Sequence, residues 1–152
     1  MRHGEAAEAR TDPERPLTPR GLAQAKASAA GLQRLGVQVP VIHHSPYVRA
    51  AQTAAAVAAV FGSRLIADDA FLPSSSPEAA AEALIKYGET YGEKMRAGAF
   101  VVAHLPILPG IADVLCGARL SFSTAAIAQI VVLGGMGVLG GLWSSEVLER
   151  VR

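Results

Sequence analysis

Two imidazoles and two guanidiniums stand in this chain where a phosphoryl group could be held and moved. They lie in Met1-Arg2-His3-Gly4, in Ser45-Pro46-Tyr47-Val48-Arg49, and in His104-Leu105-Pro106. Each stretch falls where a strand would hand over to a loop or a helix. A neutral imidazole nitrogen can take a phosphoryl group and lose it to water, which divides one hard step into two. His3 is the expected nucleophile. It must be unprotonated on the attacking nitrogen, as an imidazole of ordinary pKa, about 6.5, mostly is at pH 7. Arg2 and Arg49 are the expected phosphate clamp, because a planar guanidinium can grip two oxygens and an ammonium cannot. Arg49 also falls in the first turn of an expected helix, where free N–H groups and the helix dipole favour an anion. His104 is expected to hydrogen-bond a transferring oxygen and stabilise developing charge. Gly4 and Ser45, beside these groups, are expected substrate contacts.

Taken singly, each residue has a plainer explanation. Arg2 could be a solvated terminal charge, Arg49 could pair with a nearby acid, and His104 could be a satisfied core histidine. Their joint placement at strand ends favours the chemical reading, since ligands in open α/β sheets bind at the carboxyl ends of strands. His43 and His44 are adjacent, so a strand points them to opposite faces. No acid-rich ligand set accompanies them, and a structural or rim role is expected rather than a metal site. No cofactor is expected. The single Cys116 allows no internal disulfide and reads as a small buried hydrophobe on a helix.

Helices and strands must position these groups. Residues 5–17 read as a loop, with charges of alternating sign and with Pro13 and Pro16 opposing a helix. Thr18-Pro19 is a cap followed by a proline at the first helical position. The helix it opens carries Leu22, Ala25, Ala29, Leu32 and Leu35 on one face and ends at Gly36. Val37 to Ile42 reads as a strand, with His43 and His44 at its end. Ser45-Pro46 repeats the cap and proline before an Ala-rich helix closed by Gly62. Arg64 to Ala67 is a short strand. Ser76-Pro77 opens a third helix, with Ala81, Leu84, Ile85 and Tyr87 as core positions and an end near Gly88 or Gly92. Ala99 to Ala103 is a strand leading into His104, and Leu105 to Leu115 is helical. Ala126 to Leu133 and Val138 to Trp143 are two strands joined by a Gly-rich turn. Alternating strands and helices imply an α/β fold with a largely parallel sheet, with the last pair adding an antiparallel edge.

The 152 residues suit one domain, taken as 1–152, with 51% hydrophobic and 18% charged residues and a net charge of +1. That balance lacks the basic excess of a nucleic-acid binder. The start of the chain has no apolar signal region, and a cytoplasmic protein is expected. Ser121 to Ser145 carries no charged residue. Its glycines and its Val, Ile and Leu content fit two buried strands better than a membrane helix.

Arg2-His3-Gly4-Glu5 resembles the signature of the histidine phosphatase superfamily, also called phosphoglycerate mutase-like. Arg15-Pro16-Leu17-Thr18-Pro19-Arg20-Gly21, the stretch from Ser45-Pro46 to Arg49-Ala50 with Gln52-Thr53, and His104-Leu105-Pro106 are similar to its further blocks, in the family's order. Leu72-Pro73, Ser123-Thr124-Ala125-Ala126-Ile127-Ala128 and the short length resemble its SixA-type branch of protein phosphohistidine phosphatases. The resemblance implies a three-layer α/β/α fold, His3 as the phosphorylated nucleophile, and Arg2, Arg49 and His104 completing the pocket. Larger relatives carry an acid in a mid-chain insertion. The corresponding region here offers only Glu78 and the nearby Asp68 and Asp69, and Glu5 is the other candidate general acid. A site without an obvious acid suits a phosphoramidate, because imidazole is a far weaker base than an alkoxide and leaves unaided. A phosphohistidine-bearing signalling or phosphotransfer protein is therefore the expected partner. The alternatives are a small phosphorylated metabolite, or an inactive remnant that binds phosphate or a phosphoprotein. Relatives carry a hydrophobic strand before the Arg-His-Gly triplet, whereas only Met1 precedes Arg2 here. The first central strand is thus expected to be missing, the domain to be N-terminally incomplete, and His3 to sit on a free, frayed end.

Overall fold

The computed structural model describes residues 1–95 and 98–151. Strands β1 (Val41–His44), β2 (Arg64–Ala67) and β3 (Phe100–Val102) form a parallel sheet in the order β2-β1-β3. All four residues of the central strand β1 are buried, as a strand covered on both faces requires. Strands β4 (Ile127–Leu133) and β5 (Met136–Trp143) form an antiparallel hairpin over the turn Gly134-Gly135, where both glycines have positive φ. The uncharged stretch 121–145 is thus largely a hairpin. No helix among the described residues is long and apolar enough to cross a membrane.

Helices cover both faces. On one side α1 (Pro19–Arg34), α2 (Val48–Phe61) and α5 (Ser145–Glu149) close a core of Ala25, Ala29, Leu32, Ile42, Ala54, Val57 and Leu148. On the other, α3 (Pro77–Met95) and α4 (Ile107–Cys116) close a core of Phe71, Ala80, Val101, Ile107 and Ile111. Helices on both faces of the sheet make the expected three-layer arrangement. The first helix buries Ala25, Ala29 and Leu32 as expected but leaves Leu22 and Leu35 exposed, so its buried stripe is narrower than the sequence suggests.

The start of the chain differs from a frayed end. Met1 to His3 lie in extended form between the end of β3 and the start of β4. The Ala103 N–H donates to the Met1 carbonyl at 3.0 Å, and the His3 N–H donates to the Ala103 carbonyl at 3.0 Å. On the opposite edge Arg2 N–H donates to Ala126 O at 2.9 Å, and Ala125 N–H donates to His3 O at 3.1 Å. Three residues therefore satisfy the backbone groups of both neighbours, and the buried Met1 side chain joins the core.

Other local differences have clear causes. Strand β1 starts at Val41 and includes His43 and His44, because its pairing runs along Arg64–Ala67 and Phe100–Val102. Helix α2 starts at Val48, after Tyr47, and Ser45 is not its cap. Helix α3 continues through Gly88 and Gly92. A helical glycine costs about 1 kcal/mol, which tertiary packing can override. The short helix α5, capped by Ser144, was not expected after the last strand.

Candidate active site

His3, Arg49 and His104 come together at the carboxyl end of the sheet. The line of pairing through Arg2 and Ala103 ends on His3, β3 ends just before His104, and β1 leads through Ser45-Pro46-Tyr47 into the first turn of α2, which carries Arg49. The two imidazole rings lie 5.1 Å apart between centroids. A cleft of about 450 Å³ opens over His3, lined by Arg2, Glu5, Asp12, Arg15 and Arg49 among others, while the His104 ring is buried behind it and does not line it.

Hydrogen bonds decide the state of His3. Its Nδ1 is 2.7 Å from the Gly4 carbonyl oxygen, which can only accept, so Nδ1 carries the proton. The Arg49 Nε–H donates to His3 Nε2 at 3.2 Å, so Nε2 presents its lone pair. Burial, with further contributions from the Arg49 and Arg2 charges, lowers the His3 pKa to about 4. His3 is thus neutral at pH 7, with its unprotonated Nε2 facing the Arg49 guanidinium and accepting from it. Burial, followed by nearby His3 and Arg49, lowers that of His104 to about 3. Both ring nitrogens of His104 and the Nε of Arg2 are buried without a hydrogen-bond partner among the described residues. Such groups are costly unless something polar meets them. The Arg2 guanidinium is held by donating to the Phe122 carbonyl at 2.7 Å, and the His104 ring packs edge-on to Tyr47.

Gly4 and Ser45 do not line the cleft. Gly4 is buried, and its N–H donates to Thr53 Oγ1 at 3.0 Å. A Cβ there would come 2.4 Å from the Gly21 carbonyl oxygen, so the glycine allows the loop to press against α1. Ser45 is fully buried, and its N–H donates to the Val102 carbonyl at 3.1 Å. Both are thus buried and engaged in packing and backbone bonds, away from the cleft lining where they were expected as substrate contacts. Glu5 lines the cleft, but its carboxylate accepts from the Thr18 hydroxyl at 2.8 Å and pairs with Arg20 at 3.5 Å. Asp68 accepts from Tyr87 and from the Ala70 N–H, and Glu78 accepts from Ser76. Neither they nor Asp69 lines the cleft. His43 stacks on Tyr87 with centroids 3.8 Å apart and lies 2.7 Å from the Tyr91 hydroxyl through Nε2. His44 Nδ1 lies 2.9 Å from the Ser45 carbonyl oxygen.

Three residues that matter here were missed as site residues. Asp12, on a 3-10 turn at Asp12–Glu14, accepts from Arg49 Nη2 at 3.0 Å through its carboxylate and from Nη1 at 2.6 Å through its carbonyl. Arg15 joins the same carboxylate at 3.3 Å. Thr53 links Gly4 to α2, since its hydroxyl also donates to the Arg49 carbonyl at 2.7 Å. The only sequence signal for Asp12 was its place among the alternating charges of residues 5–17. Arg49, chiefly, holds the Asp12 carboxyl below the usual carboxylate range, so Asp12 is an anion at neutral pH and a poor proton donor.

The profile of the histidine phosphatase superfamily (branch 1) matches residues 1–72. Phosphohistidine phosphatase SixA of Escherichia coli K12 is 30% identical over 133 residues, covering 86% of this chain and 81% of that protein. The chain belongs to the histidine phosphatase superfamily. A solved structure of the protein histidine phosphatase SixA complexed with tungstate superposes with a TM-score of 0.86 at 28% identity, covering 95% of this chain and 94% of the other. A mycobacterial glucosyl-3-phosphoglycerate phosphatase solved with inorganic phosphate shares the superfamily fold, with a TM-score of 0.75 at 17% identity over 96% of each chain. The superfamily blocks recognised in the sequence fall on the cleft and on its supports. Within the block around Arg49, the Gln52 amide oxygen accepts from the Leu17 N–H at 2.7 Å, tying α2 to the Arg15–Gly21 block.

Proposed function

We propose that this chain is a phosphatase that removes the phosphoryl group from phosphohistidine on a protein, through a covalent phosphohistidine on His3. The observation that carries the reading is an unprotonated Nε2 on His3 beside polar groups, Arg2 Nε and the His104 ring, that have no hydrogen-bond partner among the described residues. In this reading Nε2 attacks phosphorus as the bond from phosphorus to the substrate imidazole breaks. The electron pair stays on the leaving nitrogen. With the other nitrogen of that ring protonated, it departs as neutral imidazole and needs no acid from the protein. Phosphorylated His3 then carries its positive charge against the Gly4 carbonyl. Water attacks phosphorus, the Nε2–P bond breaks, and phosphate leaves with His3 neutral again while the surplus proton passes to solvent. Arg49, Arg2 and His104 stabilise the oxygens throughout, so catalysis is positioning and electrostatics.

The cleft supports the choice of leaving group. Asp12 is held as an anion, Glu5 is bound by Thr18 and Arg20, and Asp68, Asp69 and Glu78 lie away from the cleft. An alkyl phosphate would have to leave as a strongly basic alkoxide without a ready donor. The oxyanion in the SixA complex and the name of the curated relative agree with this reading. The test is phosphate release from a phosphohistidine protein and from sugar phosphates, each beside His3→Ala. Turnover of the phosphoprotein that His3→Ala abolishes is expected. Equal rates on sugar phosphates would favour a metabolite phosphatase, and equal rates for both proteins would mark a binding remnant.

A further inference from the structure

Arg49 is already occupied by an anion of its own chain. Its side chain is 6% exposed and fixed in α2, whereas its carboxylate partner on Asp12 is 54% exposed on a one-turn helix in the 5–17 loop. Asp12 takes Nη1 through its carbonyl and Nη2 through its carboxylate, while His3 takes Nε. A buried cation needs a counter-anion. Both candidates, carboxylate and phosphate, are recognised by a guanidinium through the same fork. The buried partner sits on a long helix and the exposed one on a loop, so Asp12 is the member that can yield.

We propose that Asp12 is an internal stand-in for the phosphoryl group: its carboxylate holds Arg49 in the free enzyme, gives way when phosphate binds, and so sets the affinity of the site for phosphate. The inference rests on the proposed function only in taking the cleft as a phosphate site. A substrate with additional contacts can offset the displacement of Asp12. Free orthophosphate has no such contacts and is returned to solvent as Asp12 recloses on Arg49. Asp12 therefore acts as a specificity-determining residue that disfavours the product.

The test is orthophosphate binding to the full chain at pH 7, by calorimetry or phosphorus NMR, for the wild type, Asp12→Asn, Asp12→Ala and Glu14→Gln. Glu14 lies on the same turn, is exposed, and has no side-chain bond to Arg49, so it controls for removal of a negative charge alone. Both Asp12 variants should bind phosphate about tenfold more tightly, the worth of one charge-assisted contact, while Glu14→Gln stays within about twofold. Unchanged or weaker binding by the Asp12 variants would overturn the inference, as would equal tightening by Glu14→Gln. Absence of binding by every protein would remove the phosphate site and the inference with it. Binding that follows the expected order without turnover of a phosphohistidine protein would leave Asp12's role standing and refute the proposed reaction.

Discussion

Lowering the pH from 7 to 5 should cost this fold about 4 kcal/mol through His3 and His104 alone. Both imidazoles are held neutral by burial, with folded pKa values of about 4 and about 3. In the unfolded chain each returns to about 6.5. Below that value the unfolded chain binds protons that the folded one does not, so stability falls with pH. The loss levels off only as the pH passes through the folded values. At pH 5 an unfolded imidazole favours its charged form by about 1.5 pH units, each worth about 1.4 kcal/mol, which gives about 2 kcal/mol per residue. Because both folded values lie well below 5, this figure depends almost wholly on the unfolded value. Urea unfolding at pH 7, 6 and 5 measures it. Staying at pH 5 or above keeps most of the titration of depressed carboxylates such as Asp12 out of the window. His43, also lowered by burial, adds a loss of the same sign in every variant that retains it. His104→Gln should remove about half of the fall due to the pair, or about 2 kcal/mol. The reasoning fails if His104→Gln loses as much stability as the wild type between pH 7 and 5.

Arg49→Lys keeps a positive charge but loses the fork and the contact to His3 Nε2, and phosphate release should fall by about 100-fold or more in steady-state kinetics. Gly4→Ala forces a Cβ against the Gly21 carbonyl, and thermal unfolding should register at least about 1–3 kcal/mol of destabilisation. Thr53→Val leaves the buried Gly4 N–H without its acceptor, at a cost of about 1–3 kcal/mol. The same variant should lower kcat more than it raises KM, because it loosens the backbone beside His3 without touching substrate. Equal kcat values for Thr53→Val and wild type would show that the Gly4 contact does not position the nucleophile.

Local signals in the sequence determined most of the chemistry. Strand ends or helix starts lie within a few residues of Arg49 and His104, so their positions follow from short-range rules. The parallel sheet and the hairpin follow from apolar runs and a Gly-Gly turn for the same reason. Only the tertiary structure decided what holds those groups and in which state. The Asp12–Arg49 pair and the Thr53–Gly4 bond join residues 37 and 49 positions apart, and no periodicity reports such pairings. The close approach of Gly4 and Gly21 is likewise a long-range contact that no local pattern reports. No sequence signal at residues 1–3 specifies a strand around His3. Chain connectivity suggested a loose end, but four backbone hydrogen bonds to β3 and β4 neighbours hold residues 1–3 in place. Residue type specifies which atoms can react. Burial and long-range hydrogen bonds set whether they are neutral, aimed and occupied, and those depend on contacts between distant parts of the chain.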